Sequence, residues 1–288
     1  MSLEPTAPSI GGFGLPDFLE VLHRHHPLGT MSTIVTDDAY LPLTVRDNVV
    51  SFVGHEDLVD YRAPLGLSAG TALAEFLQEH PDLVLSVDSL PDEAAELLDS
   101  AARRAGRAPV KREHETTARL DVADGFDAYM AKLSKKERHE LRRKRRRYEE
   151  ELGPVRVERE ERPGHLLEEF FRLHRAASGD KGEFMTPAMA DYFCGVLELD
   201  GWFVDALVTR HERVTAAAFG FEDEDGFYLY NSGYDPALRH VSPGIVMIGL
   251  LIERTANSTL PVFDFLKGDE VYKYRLGAQA RQLYSVTA

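Results

Sequence analysis

A single cysteine, Cys194, among 288 residues has nothing to pair with, which excludes an internal disulfide framework and any CxxC metal site. Long apolar runs are also missing. The most concentrated one, Ile245 to Ile252, falls well short of the roughly 18 residues that suggest a membrane span, so none is expected. The first thirty residues hold acids, prolines and the histidines His23, His25 and His26, without a basic start leading into an apolar stretch. That pattern predicts no secretory leader, and the expected compartment is the cytoplasm. The three histidines lack helical ligand spacing beside a carboxylate. They read as a polar surface segment, and no metal is expected.

Positive charge is scarce overall: the net charge is −15, which argues against whole-protein affinity for nucleic acid. It is unevenly spread, however. Residues 132–147 contain ten Lys/Arg against two Glu, a local +8 that leaves −23 for the rest. Such an island suits RNA, anionic lipid heads or a charged cofactor. It equally suits a long helix with a solvated basic face, because Leu133, Leu141, Tyr148 and Leu152 give it a stripe to bury.

What is present is an ordinary globular composition, 43% hydrophobic and 28% charged, long enough for one large or two medium domains. In the first part, Ser32 to Val45 alternates as a strand and Val49 to Val53 follows it across an Asp47-Asn48 turn. Helices are predicted from Ser68, as N-cap, to Glu79 and from near Pro91 to before Gly106, with strands at Leu83 to Val87 and Arg119 to Val122. Asp124 offers a cap for a helix through Met130. Ser134 and Glu137 form a capping box for a long basic helix ending at Gly153-Pro154. The predicted divisions are 1–123, the connecting helix 124–153, and 154–288.

The last part reads in more detail. A strand at Val155 to Glu158 precedes a helix over Gly164 to Ala177. Thr186-Pro187 opens a second helix to about Leu199. Strands follow at Trp202 to Arg210, Val214 to Glu222 and Gly226 to Gly233, then a loop, a helix from Ile245 to about Asn257 and a strand at Val262 to Leu266. A short helix around Glu270 to Arg275 and a strand at Arg281 to Val286 complete the order. Helices set between strands in this way predict an α/β chain, with a mixed sheet covered on both faces.

The loop Arg239-His240-Val241-Ser242-Pro243-Gly244, with Ile245 after it, carries the first chemical signal. A helix N-terminus there presents unpaired N–H groups and a positive dipole end to a phosphate. Gly244 permits close approach and Arg239 adds a charge-assisted contact. Taken alone, these residues suit a plain strand-to-helix connection as well. They resemble the pyrophosphate loop of the GNAT acetyltransferase superfamily, Gln/Arg-x-x-Gly-x-Gly/Ala: Arg239 and Gly244 match, while Ser242 stands where the first glycine is usual. The stretch from Phe263 through Asp264, Glu270 and Tyr272 to Lys273 resembles the FemAB-like branch. So do Tyr230 to Pro236, Phe171 to His174, Phe52-Val53-Gly54 with Asp60-Tyr61, and Leu133 to Lys136.

That resemblance covers most of the chain and implies two GNAT-like lobes, the N-terminal one degenerate. It implies an acyl thioester, acyl-CoA such as acetyl-CoA, lying between two splayed parallel strands. An amine on a small molecule, sugar or peptide would attack its carbonyl directly, with backbone donors stabilising the oxyanion. Tyr272 is the candidate acid for the departing thiolate, and Lys273 an alternative stabiliser of negative charge. Asp264 is either functional or a buried carboxylate paired with a cation such as Lys273. His174 is either a base or a satisfied core histidine, Asp235 a turn cap, and Glu270 an activator of the amine or a helix cap. Fem relatives transfer amino acids from aminoacyl-tRNA, so helix 132–147 as an RNA contact is a second reading. A non-catalytic GNAT-fold binding protein is a third.

Overall fold

The computed structural model describes residues 3–288. Two compact units are present: the chain up to Thr117 together with Ala280–Ala288, and Ala118–Gln279.

In the first unit, Pro16 at the first helical position and Asp17 beside it start α1 (Pro16–His25), and His23, Arg24 and His25 close it. These charges match the two ends of the helix dipole. The histidines expected on a polar surface segment end a helix or follow it, and His23, His25 and His26 are half-buried. The alternating stretch from Ser32 to Val45 does not form one strand. It is cut, together with the residues before it, into β1 (Thr30–Met31), β2 (Ile34–Val35), β3 (Tyr40–Leu41) and β4 (Leu43–Arg46). A turn at Asp37-Asp38 folds β2 onto β3, and Pro42, which lacks a ladder donor, separates β3 from β4. Asp47 and Asn48 both adopt positive φ, 50° and 62°, the conformation of a tight two-residue hairpin. They join β4 to β5 (Val49–Phe52).

The unit continues with α2 (Ala69–Glu79), β6 (Val84–Leu90), α3 (Asp92–Arg104) and β7 (Val110–Asp121). Ser68 does occupy the N-cap position of α2, but its hydroxyl bonds to Asp38 Oδ1 at 2.5 Å instead of to the helix. Strand order here is β1-β4-β5-β6, with β5 and β6 parallel.

The second unit starts within β7, at Ala118. Gly125, not Asp124, precedes α4 (Phe126–Lys132); Asp124 instead pairs with Lys132. Ser134 accepts the Glu137 N–H at 3.2 Å and opens α5 (Lys135–Leu152), which Gly153 ends at φ 91°. There follow β8 (Arg156–Glu160), α6 (His165–Arg175), α7 (Asp180–Phe184), α8 (Pro187–Leu197), β9 (Trp202–Val208), β10 (Val214–Glu222) and β11 (Phe227–Tyr234). A 3-10 turn at Pro236–Val241 leads into α9 (Pro243–Ala256), β12 (Val262–Lys267) and α10 (Val271–Arg275). The last strand, β13 (Gln279–Thr287), lies almost wholly in the first unit, where it pairs antiparallel with β6. Its pairing takes 280–288 out of the predicted division 154–288.

Strands of the second unit run in the order β7-β12-β11-β10-β9-β8. Every residue of β9 and nearly all of β10 is buried, as expected of strands covered on both faces. On one face Phe193 of α8 packs edge-on and Phe170 of α6 packs tilted against Phe219. On the other lies α9, apolar around almost its whole circumference, which is possible only because α5 covers its outer side. Leu141 of α5 fits against Gly249, where a Cβ would come within 2.9 Å of it. Arg145 pairs with Glu253 at 2.8 Å, and the Tyr148 hydroxyl meets Thr215 of β10 at 2.8 Å. The basic helix is thus bound to the unit along one side and solvated along the other.

Candidate active site

The parallel strands β11 and β12 stay paired only at Phe227↔Phe263 and Tyr228↔Asp264, although β11 continues to Tyr234. The cause is visible in β12. Leu266 sits at φ +59°, a left-handed conformation costly for a branched residue. Its N–H is drawn back to Asp264 Oδ1 at 2.8 Å. Asp264 is fully buried, and its second oxygen lies 3.5 Å from Arg119 Nε. This local turn bends β12 away. A bulge at Tyr230, between Asn231↔Phe219 and Leu229↔Gly220, twists β11 at the same level.

The gap so opened is a cavity of about 480 Å³. Leu229 to Ser232 and Tyr234 of β11 form one wall; Phe265, Lys267, Glu270, Tyr272 and Lys273 form the other; Arg239, Ser242, Gly244, Ile245 and Ile248 close the end. Of the residues expected to hold a phosphate, four therefore face the cavity. The other three do not. Val241 is 1% exposed in the core, Pro243 is buried in the first turn of α9, and His240 bonds Glu151 of α5 at 2.6 Å. What reads as an open loop is a 3-10 turn running straight into a helix, which fixes these side chains in three directions.

The helix entrance is open to an anion. Ser242 lies in the left-handed region, φ 55° and ψ 51°, the conformation that favours the family's glycine. No side chain caps α9, no acid occupies its first turn, and its first internal bond runs from Val246 to Ser242. The Gly244 and Ile245 N–H groups are left for a ligand. A Cβ on Gly244 would press to 3.2 Å from the Tyr234 ring. Arg239 is exposed and makes no ion pair among the described residues. A second cation comes from an unexpected place: Lys144 of α5 donates to Ser242 Oγ at 2.9 Å.

Tyr272 is the most suitably placed of the expected catalytic groups. It lies edge-on to Phe265, its hydroxyl makes no hydrogen bond among the described residues, and burial, then the Glu270 charge, pushes its phenol far above the usual range. Burial therefore favours its neutral, protonated form. Lys273 is differently occupied. Its buried ammonium donates to the carbonyls of Lys267 at 2.6 Å and Gly268 at 3.1 Å and pairs with Glu270 at 2.9 Å. It clamps the turn between β12 and α10, and its partner is Glu270 rather than Asp264. Glu270 precedes α10 with its carboxylate partly exposed on the cavity wall.

His174 is 1% exposed and does not line the cavity. It acts on it through a residue that sequence reading passed over. Asn231 Oδ1 accepts the Ser232 N–H at 2.7 Å and meets His174 Nε2 at 2.9 Å. With the oxygen so engaged, the Asn231 amide nitrogen is left for the cavity. The available signal was an Asn-Ser pair, poor strand formers, inside an otherwise aromatic strand. Asp235 behaves as a turn cap, accepting from Ala237 N at 3.0 Å and pairing with Arg213 at 2.5 Å. Burial alone would raise its carboxyl, but these two partners hold it below the usual range.

Two splayed parallel strands, a bulge opposite the splay and an uncapped helix entrance at its end form one arrangement, and the acetyltransferase (GNAT) domain family model matches over residues 135–274. That stretch is similar to a GNAT acetyltransferase domain. The match begins at α5 and ends within α10, so it contains the cavity entire. Across the chain the fold is similar to that of several solved structures. FemX aligns over 97% of this chain and 93% of its own, with a TM-score of 0.63 at 10% identity. L-PGS from Bacillus licheniformis aligns over 96% and 93%, at 0.62 and 12%. A conserved protein of unknown function from Bacteroides thetaiotaomicron VPI-5482 aligns over 96% and 90%, at 0.66 and 11%. At such identities the likeness is one of fold. No curated protein matches the sequence. No helix among the described residues is long and apolar enough to cross a membrane.

Proposed function

We propose that the GNAT domain moves an acyl group from acyl-CoA to an amine on a small molecule, sugar or peptide. The observation that carries this reading is the uncapped entrance of α9, with Arg239 and Lys144 beside it, at the end of the β11/β12 cavity. A pyrophosphate seated there would take the free Gly244 and Ile245 N–H groups and both cations. The pantetheine arm then runs along the unpaired edge of β11, whose backbone offers it strand-like hydrogen bonds. The amine attacks the thioester carbonyl; the C–N bond forms, the C–S bond breaks, and Tyr272 gives its proton to the leaving thiolate. Glu270 takes the proton that the amine releases. The Asn231 amide, fixed by His174, orients the reacting carbonyl or the acceptor.

Calorimetric titration with acetyl-CoA and CoA tests the reading. Arg239→Glu should weaken binding about tenfold or more; a wild-type protein that binds neither compound removes the acyl-CoA assignment.

One observation favours a second reading, aminoacyl-tRNA as the source of the acyl group. Lys135, His139 and Arg142 fall on one exposed stripe of α5, beside a groove of about 500 Å³ shared with α4, and Lys135 and Arg142 make no ion pair among the described residues. Salt-sensitive tRNA binding without CoA binding would put this reading first.

A further inference from the structure

The first unit holds a constellation of its own, around a bulge in β6. Val87 pairs with Val286 of β13 and Leu90 with Tyr284. Two residues of β6, Asp88 and Ser89, therefore oppose one of β13, and Ser89 takes φ +57°. A bulge of this kind re-aims the side chains that it carries. Asp88 is held in the resulting direction by two donors on Oδ1: Arg62, with a side chain only 4% exposed, at 2.8 Å, and the Ser89 hydroxyl at 2.7 Å. Arg62 is itself fixed, donating to the Gly54 carbonyl at 2.6 Å.

Two further groups converge there. Glu56 stands in the turn after β5, which is closed by bonds from the Leu58 and Val59 N–H groups to the His55 carbonyl. His114 comes from β7. One donor atom each from Glu56, Asp88 and His114 lie within 4.8 Å of one another. Atoms so placed share a centre within about 2.8 Å of each, against roughly 2.0–2.2 Å for zinc bonds to nitrogen and oxygen. The difference is roughly 0.7 Å, and Glu56, exposed on its turn, has the rotatable bonds to close it. His114 Nε2 is shielded from solvent and has no hydrogen-bond partner; the Glu115 carboxylate stays 3.8 Å from it. Such an atom ordinarily has a partner, and a metal ion is one that imidazole takes readily. The charges point the same way, because Glu56 and Asp88 both act on the Arg62 guanidinium and outnumber it.

We infer that Glu56, Asp88 and His114 form a zinc site, in which two carboxylates and one imidazole hold the ion and water completes its shell. The imidazole sets the site apart from those of magnesium and calcium, which take oxygen ligands. Arg62 and Ser89 act as outer partners that orient the Asp88 carboxylate. With ligands from the turn after β5, from β6 and from β7, the ion clips three separate stretches of the first unit together. Zinc therefore stabilises the folded unit, since the unfolded chain scatters its ligands. The expectation of no metal rested on short-range spacing, and positions 56, 88 and 114 have none.

The test is calorimetry and thermal unfolding of the untagged full chain, stripped with a chelator and titrated with Zn²⁺. The wild type should bind one ion per chain, and its melting temperature should rise with Zn²⁺ and not with equal Mg²⁺. Glu56→Gln and His114→Gln should each weaken Zn²⁺ binding about tenfold or more and cancel the rise. His55→Asn, which removes a neighbouring imidazole outside the set, should bind as the wild type does. A wild type that does not bind Zn²⁺ overturns the site. So does an affinity that is undiminished in Glu56→Gln or His114→Gln, or one that falls only in His55→Asn.

Discussion

Replacing Asp264 separates a chemical role from an architectural one. The carboxylate is fully buried, does not line the cavity, and holds Leu266 in its left-handed conformation through one 2.8 Å bond. Asp264→Ala leaves the Leu266 N–H without its acceptor and the Arg119 guanidinium without its counter-charge. An unsatisfied buried donor costs about 1–3 kcal/mol, and a lost bond to a charged group lies at the upper end of that range. Straightening of β12 would return about 1 kcal/mol of backbone strain, giving a net loss of about 2 kcal/mol. For a unit of this size that is a fall of roughly 4–8 °C in melting temperature. Straightening would also extend the β11/β12 pairing and narrow the cavity, so CoA affinity should drop about tenfold. Asp264→Asn keeps an oxygen for Leu266 and loses only the charge facing Arg119, whose side chain is 25% exposed and partly solvated. Its cost should be about 1 kcal/mol, with CoA affinity and turnover near wild type. Thermal unfolding, calorimetry and a thiol-release assay on both variants decide the matter. An Asp264→Asn protein with wild-type stability and CoA affinity but no turnover would refute the architectural assignment.

Tyr272→Phe should lower turnover about a hundredfold, with CoA affinity and melting temperature unchanged because the hydroxyl supports nothing in the protein; undiminished thiol release would exclude it as the acid. Asp223, in the turn between β10 and β11, has its carboxyl raised by burial to about 6. The folded state therefore keeps a proton that the unfolded chain has released between about pH 4 and pH 6, so this group's contribution to stability is largest in acid and declines across that window. Asp223→Asn removes the decline, and the stability advantage of the variant over wild type should grow from pH 4 to pH 6 and then level off. A difference that stays constant with pH contradicts the assignment.

Much of the second unit was legible because its signals are local. The Thr186-Pro187 cap, the Ser134 box and the Gly153 stop each act within one turn, and all three elements form where they were expected. The strands from Trp202 to Tyr234 announce themselves by aromatic and β-branched content between short polar turns. The short helix α7 and the 3-10 turn before α9 lack such punctuation and were missed. Side-chain direction was the harder matter. Whether Arg239, His240 or Val241 faces a ligand depends on the pitch of a 3-10 turn, and no neighbouring residue encodes that. Lys144 lies 98 residues from Ser242, and the packing of α5 through Leu141, Arg145 and Tyr148 brings them together. The pairing of Asp264 with Arg119, instead of the nearer Lys273, likewise comes from strands that are adjacent in space and distant in sequence.

The membership of β13 bears on the order in which the protein takes shape. The second unit is one uninterrupted stretch, Ala118–Gln279, whereas the first needs both ends of the chain. During synthesis the second unit has all of its own residues before the first unit receives the strand that pairs with β6. The unit begun first is therefore completed later than the second, since β6 awaits β13 until the whole second unit has been made. Disruption of β13 would strike first its pairing with β6, within the first unit.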